Sequence, residues 1–212
     1  MRIRFRAALP IGLLLLIAVS VAGCGGGSAS GSGTGSGSTT AKFAGINAVP
    51  SKPAPPLVLN DSLGHRVDLS QYRGKAVLVT FIYDHCPDIC PLIVGNLHTA
   101  QAELGSKASD LQIIAVSVDP TGDTPRTVKA FLAAHQMTGR MEYLIGSRPQ
   151  LEKTWSDWKI VAKASPSRGS PDAVEHSALI YGIDASGRMT TLYPANFKPQ
   201  QIVHDVPILA SR

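Results

Sequence analysis

The chain has 212 residues and a formal net charge of +5, with 20 lysines and arginines against 15 aspartates and glutamates. Three of the arginines, Arg2, Arg4 and Arg6, lie at the start, and without them the net charge falls from +5 to +2. The remaining chain has no basic run interleaved with aromatic residues, so nucleic-acid binding is excluded as a predicted function.

The first 23 residues have the layout of a secretory signal: a basic start, a short apolar run and small residues before a cysteine. The apolar run Leu9–Ala22 is shorter than the roughly 20 residues that a membrane-spanning helix needs. The letters VAGC resemble a bacterial lipobox, with Val21 in place of the preferred leucine. We predict a lipoprotein signal peptide at residues 1–23 and lipidation at Cys24, the alternative being ordinary cleavage that leaves an idle thiol.

A flexible tether is predicted at residues 24–56. Residues 25–40 are almost entirely glycine, serine and threonine, which cannot bury apolar surface, and the following AVPSKPAPPL is rich in proline. The tether would hold a folded domain, predicted at residues 57–212, away from the extracytoplasmic face of the bacterial cell membrane.

The first half of the domain alternates strands and helices. A hairpin is expected around Gly64, and the apolar run KAVLVTFIY predicts a strand buried on both faces of a sheet. Ile93, Leu97 and Leu104 recur at helical spacing after it. The run LQIIAVSVD predicts a second buried strand, followed by a helix with Thr124 as N-cap. This alternation indicates parallel strand pairing.

The second half predicts a third strand in EYLIG, a helix in RPQLEKTWSDWKI, and two strands joined by a turn at Asp184 to Gly187. A last, short helix, KPQQIVHDV, is expected to end before Pro207. The predicted fold class is therefore α/β: a thioredoxin-like fold with a central mixed sheet flanked by helices.

Cys86 and Cys90 lie where the first long strand runs into its helix, a position at which free backbone N–H groups and the helix dipole lower a thiol's pKa. Their spacing is C-x-x-x-C, which would put both sulfurs on one face of a helical turn. Such a pair can close into a disulfide, act as a redox dithiol, or bind a soft ion: Cu(I), or zinc with further ligands. A metal would need a third ligand from elsewhere in the chain.

Of the six histidines, His65, His98, His135 and His204 are expected at the surface or at element edges. His176 differs because it precedes the strand SALIYGID, which in a thioredoxin-like domain approaches the cysteine turn.

Three ordered motifs carry a family resemblance: FIYDHCPDICP, VSVDPTGDTP and VEHSALIYGIDASG. They resemble the F-x-x-T-H-C-P-D-x-C-P signature, the V-S-V-D-P-x-x-D-T-P segment and the histidine-bearing segment of the Sco/SenC proteins. The resemblance implies a copper-binding protein, with copper as Cu(I) or Cu(II), held by Cys86, Cys90 and His176. It also implies a role in assembling the copper centre of cytochrome c oxidase, with the copper-bearing subunit and a copper donor or thiol reductant as partners.

The chain departs from the family pattern at three positions near these motifs. Asp84 replaces the usual threonine, Glu175 a common aspartate, and Gly122 a frequent arginine or lysine. The two carboxylates would add negative charge near the proposed metal, which would either alter its affinity or favour Cu(II).

Three other interpretations of the cysteine pair remain at this stage. In a thiol:disulfide oxidoreductase, one cysteine would attack a partner's disulfide and the other would resolve the mixed disulfide. A structural disulfide would constrain the unfolded chain little, because its loop is so short. A peroxidase would need only one reactive thiol.

Overall fold

The centre of the structure is strand β4 (Ala76–Ile82), whose seven residues are all buried. It pairs in parallel with β5 (Leu111–Ser117) and antiparallel with β9 (Leu179–Ile183). A strand with neighbours on both edges and elements on both faces has no exposed side, which explains why every residue of β4 except Thr80 is apolar. The two buried strands predicted from the sequence are therefore confirmed.

The structure, a computed structural model, describes residues 42–164 and 174–212. The predicted signal peptide, Cys24 and the Gly/Ser tract lie outside the described residues. The described residues belong to one compact unit, Thr40–Arg212. Within them, no helix has the length and apolarity needed to cross a membrane.

The other strands of the main sheet are β1 (Ile46–Pro53), β2 (Val58–Asp61), β3 (Arg66–Asp68), β6 (Glu142–Ile145) and β10 (Arg188–Pro194). Among the described residues this sheet has eight strands, in the order β1-β10-β9-β4-β5-β6-β2-β3, and it is mixed. Only its pairs β4–β5 and β5–β6 are parallel, and the hairpin predicted near the C-terminus forms β9 and β10.

The described part of the chain has four α-helices, which flank the sheet, and each predicted helix is found. Thr124 caps the second helix as predicted, because its side chain accepts a hydrogen bond from the N–H of Thr127. The first helix ends at Gly105, which has a positive φ of 56°. The helices are α1 (Ile89–Leu104), α2 (Pro125–Ala134), α3 (Arg148–Trp158) and α4 (Pro199–Ala210).

The folded part begins earlier than predicted. Residues 46–53, which the sequence placed in the tether, form β1 and pair antiparallel with β10. Phe43 is buried ahead of the strand, and the backbone N–H groups of Ala44 and Gly45 donate to the buried carboxylate of Asp205. The proline-rich composition hid this strand, because an edge strand tolerates proline where a central strand does not.

The last helix is longer than predicted, since α4 continues through Pro207 to Ala210. Proline removes one helical hydrogen bond, which is why the sequence indicated an end there. Leu209, beyond the proline, is fully buried, and burying such a side chain contributes roughly 1.5–3 kcal/mol. Its carbonyl also accepts from the N–H of Ala185. Tertiary packing therefore outweighs the local preference.

A two-stranded arm, which the sequence did not predict, stands apart from the main sheet. Strands β7 (Ala162–Ala164) and β8 (Val174–His176) pair antiparallel, and Ala162 lies opposite His176. The arm places the end of β8 next to the turn between β4 and α1.

Candidate metal centre

The two cysteines lie on either side of the start of α1. Cys86 is in the turn after β4 and Cys90 is in the first turn of the helix, so they do not share one helical turn as the spacing had suggested. Pro91 follows at a position whose N–H would have no helical partner in any case. Both thiols are free and buried, with 8% of Cys86 and 0% of Cys90 exposed.

The environment of the pair makes its two thiols unequal. The hydrogen bond from Cys90 lowers the pKa of Cys86 well below its ordinary value of 9.0; burial opposes this, while the backbone N–H groups of Asp88 and Cys90 assist it. The same hydrogen bond and the burial of its sulfur raise the pKa of Cys90. At neutral pH the pair is therefore a Cys86 thiolate that accepts a hydrogen bond from the Cys90 thiol.

His176 reaches this pair from the end of β8. Its Nε2 lies 3.8 Å from the Sγ of Cys90, and its Nδ1 lies 3.2 Å from the carbonyl oxygen of Ser177. A carbonyl can only accept, so Nδ1 carries the proton and Nε2 keeps a lone pair. That lone pair points to the dithiol, which is the arrangement of a histidine prepared as a ligand.

Tyr83 is a part of the site that the sequence reasoning missed. Its buried ring packs edge-on against His176, at 5.8 Å between centroids, and against His85, at 5.1 Å. Its hydroxyl accepts a long hydrogen bond from the N–H of Val174, which ties the arm to β4. Burial raises the pKa of Tyr83 to about 12, so the hydroxyl is neutral. No local pattern marks the residue, because its role depends on the arm coming close.

His85 lies between two carboxylates. Its Nδ1 lies 2.8 Å from a carboxylate oxygen of Asp84, and its Nε2 lies 3.2 Å from one of Asp119. Burial alone would lower the pKa of His85, but the hydrogen bond and charge of Asp84 and the charge of Asp119 raise it. The carboxylate of Asp84 thus faces a histidine.

The other four histidines and the two tryptophans are not part of the site. His65 and His204 are mostly exposed and contact aspartates, while His98 and His135 are half-buried on or beside helices. Trp155 and Trp158 are buried core residues, and their indole N–H groups donate to backbone carbonyls.

Parallel β4 and β5, with a dithiol at the strand-to-helix junction and a histidine from a later arm, define a thioredoxin-like domain with a sulfur and imidazole centre. The chain belongs to the SCO1/SenC family, whose sequence profile matches residues 49–211.

Similar proteins include the SCO1 protein homolog of Bacillus subtilis, 27% identical over 156 residues, which cover 71% of this chain and 79% of the relative. The mitochondrial SCO2 homolog of Bos taurus is 29% identical over 142 residues, 65% of this chain and 52% of the relative. The chain thus spans about half the length of the bovine protein.

Among solved structures, Bradyrhizobium japonicum ScoI with copper bound has a TM-score of 0.67 and 29% identity, covering 74% of this chain and 99% of that one. Apo Sco1 of Thermus thermophilus also has a TM-score of 0.67 and is 26% identical, and the match covers 81% of this chain and 98% of that one.

Proposed function

We propose that this chain is a copper chaperone that binds one copper ion through Cys86, Cys90 and His176 and helps to assemble the copper centre of cytochrome c oxidase. The observation that carries the proposal is the 3.8 Å approach of the His176 Nε2 to the Cys90 Sγ, with the opposite ring nitrogen held by a carbonyl. The similar ScoI structure, which has copper bound, supports the choice of metal.

The donor set suits copper as cargo. The two sulfurs are soft ligands, which favour Cu(I) over hard cations, and an imidazole nitrogen is also a ligand that suits copper. Because Cys86 is already a thiolate, only the Cys90 proton must be displaced when the metal binds. A three-ligand site next to the surface leaves room for a partner's ligands to replace these three in turn, which is the requirement for transfer to the copper-bearing oxidase subunit.

A Cu(I) titration of the reduced chain, with a chromophoric chelator as competitor, tests the ligand set. We expect one equivalent of Cu(I), and a loss of affinity of at least about tenfold in His176→Ala. The matched control is His98→Ala, a histidine on α1, which should stay within about twofold of the parent. Failure to bind one equivalent, or equal affinities in the two variants, would contradict the assignment.

The proposal includes a location on the extracytoplasmic face of the bacterial membrane, with lipid attached at Cys24. It is supported by the signal-like residues 1–23 and the tether that follows them. In fractionated bacterial cells, the chain should sediment with membranes and Cys24→Ser should not. Equal membrane association of the two would refute the lipid anchor.

A second candidate function is thiol:disulfide exchange with an extracytoplasmic partner, including the oxidase subunit. The asymmetry of the pair favours it: a stabilised Cys86 thiolate beside a protonated, fully buried Cys90 is a nucleophile with a resolving thiol. Thiol exchange needs no third metal ligand. Reduction of a disulfide in the oxidised apo subunit should therefore persist in His176→Ala and be lost in Cys86→Ser.

A further inference from the structure

Three ligand-bearing side chains form a second cluster beside the proposed copper site. Asp84, His85 and Asp123 each offer one nitrogen or oxygen atom, and these atoms all lie within 4.8 Å of one another. The cluster contains no sulfur ligand and shares no residue with the copper site. It joins the turn after β4 to the loop after β5, two segments that parallel pairing brings to the same edge of the sheet.

The strongest indication of a ligand is an unpaired oxygen of Asp84. The Asp84 side chain is only 5% exposed, and its Oδ1 lies 2.8 Å from the Nδ1 of His85. Its Oδ2 is buried and has no hydrogen-bond partner among the residues that the structure describes. A buried polar atom without a partner costs roughly 1–3 kcal/mol, and more when it is charged. A bound cation would remove that cost.

The surroundings of His85 are those of a metal ligand. Its Nε2 lies 3.2 Å from the Oδ2 of Asp119, whose Oδ1 is fixed by the N–H groups of Thr121 and Gly122. A carboxylate on the far nitrogen is typical of metal-binding histidines, because it sets the tautomer and the ring orientation. The Nδ1 of His85 faces the carboxylate of Asp84 at 2.8 Å, a separation that fits either a hydrogen bond or two ligands of one metal ion.

Asp123 supplies the third ligand from a fixed position. Its Oδ1 accepts from the N–H of Asp84, and its Oδ2 accepts from the hydroxyl of Tyr143, at 2.9 and 2.8 Å. The Ser117 side chain also donates to this carboxylate, so one of its roughly four acceptor positions remains available. The side chain is therefore held in place and keeps acceptor capacity for a cation.

A cleft of about 640 Å³ gives access from solvent, and its lining includes Asp84, His85 and Asp119. A Cβ atom on Gly122 would lie 2.3 Å from the Cε1 of His85, so only glycine leaves the ring its position. Arg148 also lines the cleft, but its guanidinium contacts Glu152.

We propose that Asp84, His85 and Asp123 bind a divalent transition-metal ion through nitrogen and oxygen, separately from the thiol centre, with Asp119 as the residue that positions His85. Imidazole and carboxylate ligands suit Zn²⁺ and Mn²⁺ and disfavour Cu(I). The two neighbouring sites would thus select different metals by ligand softness.

Isothermal titration of the full chain with Zn²⁺, in a Cys86→Ser, Cys90→Ser background, tests the site without competition from sulfur. One Zn²⁺ should bind, and adding Asp84→Asn should lower the affinity by at least about tenfold. The matched control is Asp88→Asn, which removes the same charge from an exposed residue of the same turn and should stay within about twofold. Absence of Zn²⁺ binding, or equal effects of the two substitutions, would overturn the proposal.

A second measurement keeps both cysteines and does not depend on the double serine variant folding. Mn²⁺, which binds thiolates poorly, should broaden the ring NMR signals of His85 before those of His98. In Asp119→Asn the Mn²⁺ affinity should fall by about 10- to 100-fold while the thermal midpoint of the metal-free chain is kept. If the His85 signals remain those of an imidazolium, unchanged by Mn²⁺, a proton occupies the position and the proposal is wrong. Cu(I) binding is measured independently, so either site can fail alone.

Discussion

Asp205 is predicted to fasten the start of the folded domain to its last helix. This aspartate of α4 is fully buried, and its carboxylate accepts hydrogen bonds from the N–H groups of Ala44 and Gly45 and from the hydroxyl of Tyr193, at 2.8, 2.9 and 2.8 Å. In Asp205→Asn, one carboxylate oxygen becomes an NH₂ group, which cannot accept. At least one donor is then left facing another donor. Since a hydrogen bond to a charged group contributes about 1.5–3 kcal/mol, we expect unfolding free energy to fall by about 2–4 kcal/mol.

Urea unfolding of the two chains measures this difference directly. The control is Asp157→Asn, which removes the same charge from a surface pair with Lys153 and should cost less than about 1 kcal/mol. Amide exchange at Ala44 and Gly45 should also accelerate in Asp205→Asn. A loss no larger than that of the control, with exchange unchanged, would refute the conclusion that the fold begins before β1.

Three further predictions concern the site and the C-terminal helix. Cu(I) affinity should rise by up to about tenfold per pH unit, because the metal displaces the Cys90 proton whose pKa is raised; a titration in a pH series that showed constant affinity would contradict this. Tyr83→Ala should destabilise the domain by about 3–5 kcal/mol and weaken Cu(I) binding through His176, whereas Tyr83→Phe keeps the ring and should stay within about 1 kcal/mol in thermal unfolding. Leu209→Ala should lower the free energy of unfolding in urea by about 2–5 kcal/mol. Ile208→Ala, at the neighbouring and less buried residue, should lower it by less. The reverse order would mean that α4 ends at the proline.

The central elements were predictable because local pattern and tertiary environment agree in them. Strand β4 is buried at every position and apolar at every position but Thr80, and Thr124 caps a helix whose buried residues include Val128 and Phe131. Where local pattern and tertiary environment disagree, the prediction from the sequence was wrong. Strand β1 has the composition of a spacer, and Pro207 indicates a helix end although the burial of Leu209 lets α4 continue. The arm β7–β8 has too short a pattern to be seen at all.

The site, like the fold, was predictable from the sequence only in part. The thiol spacing located Cys86 and Cys90, but the involvement of His176 came mainly from the motif, because the arm that carries it was not predicted. The tautomer of His176 depends on a single carbonyl, that of Ser177. The unpaired oxygen of Asp84 depends on which side chains from distant loops fail to reach it. Contacts of this kind leave no periodicity in the chain, so they become visible only in the folded structure.

X-ray absorption on the reduced chain loaded with one equivalent of Cu(I) tests the proposed copper site most directly. We expect two sulfur ligands from Cys86 and Cys90 and one imidazole nitrogen, with the nitrogen lost in His176→Ala and both sulfurs retained. A spectrum with two sulfurs and an imidazole that persists in His176→Ala, or one with fewer than two sulfurs, would contradict it.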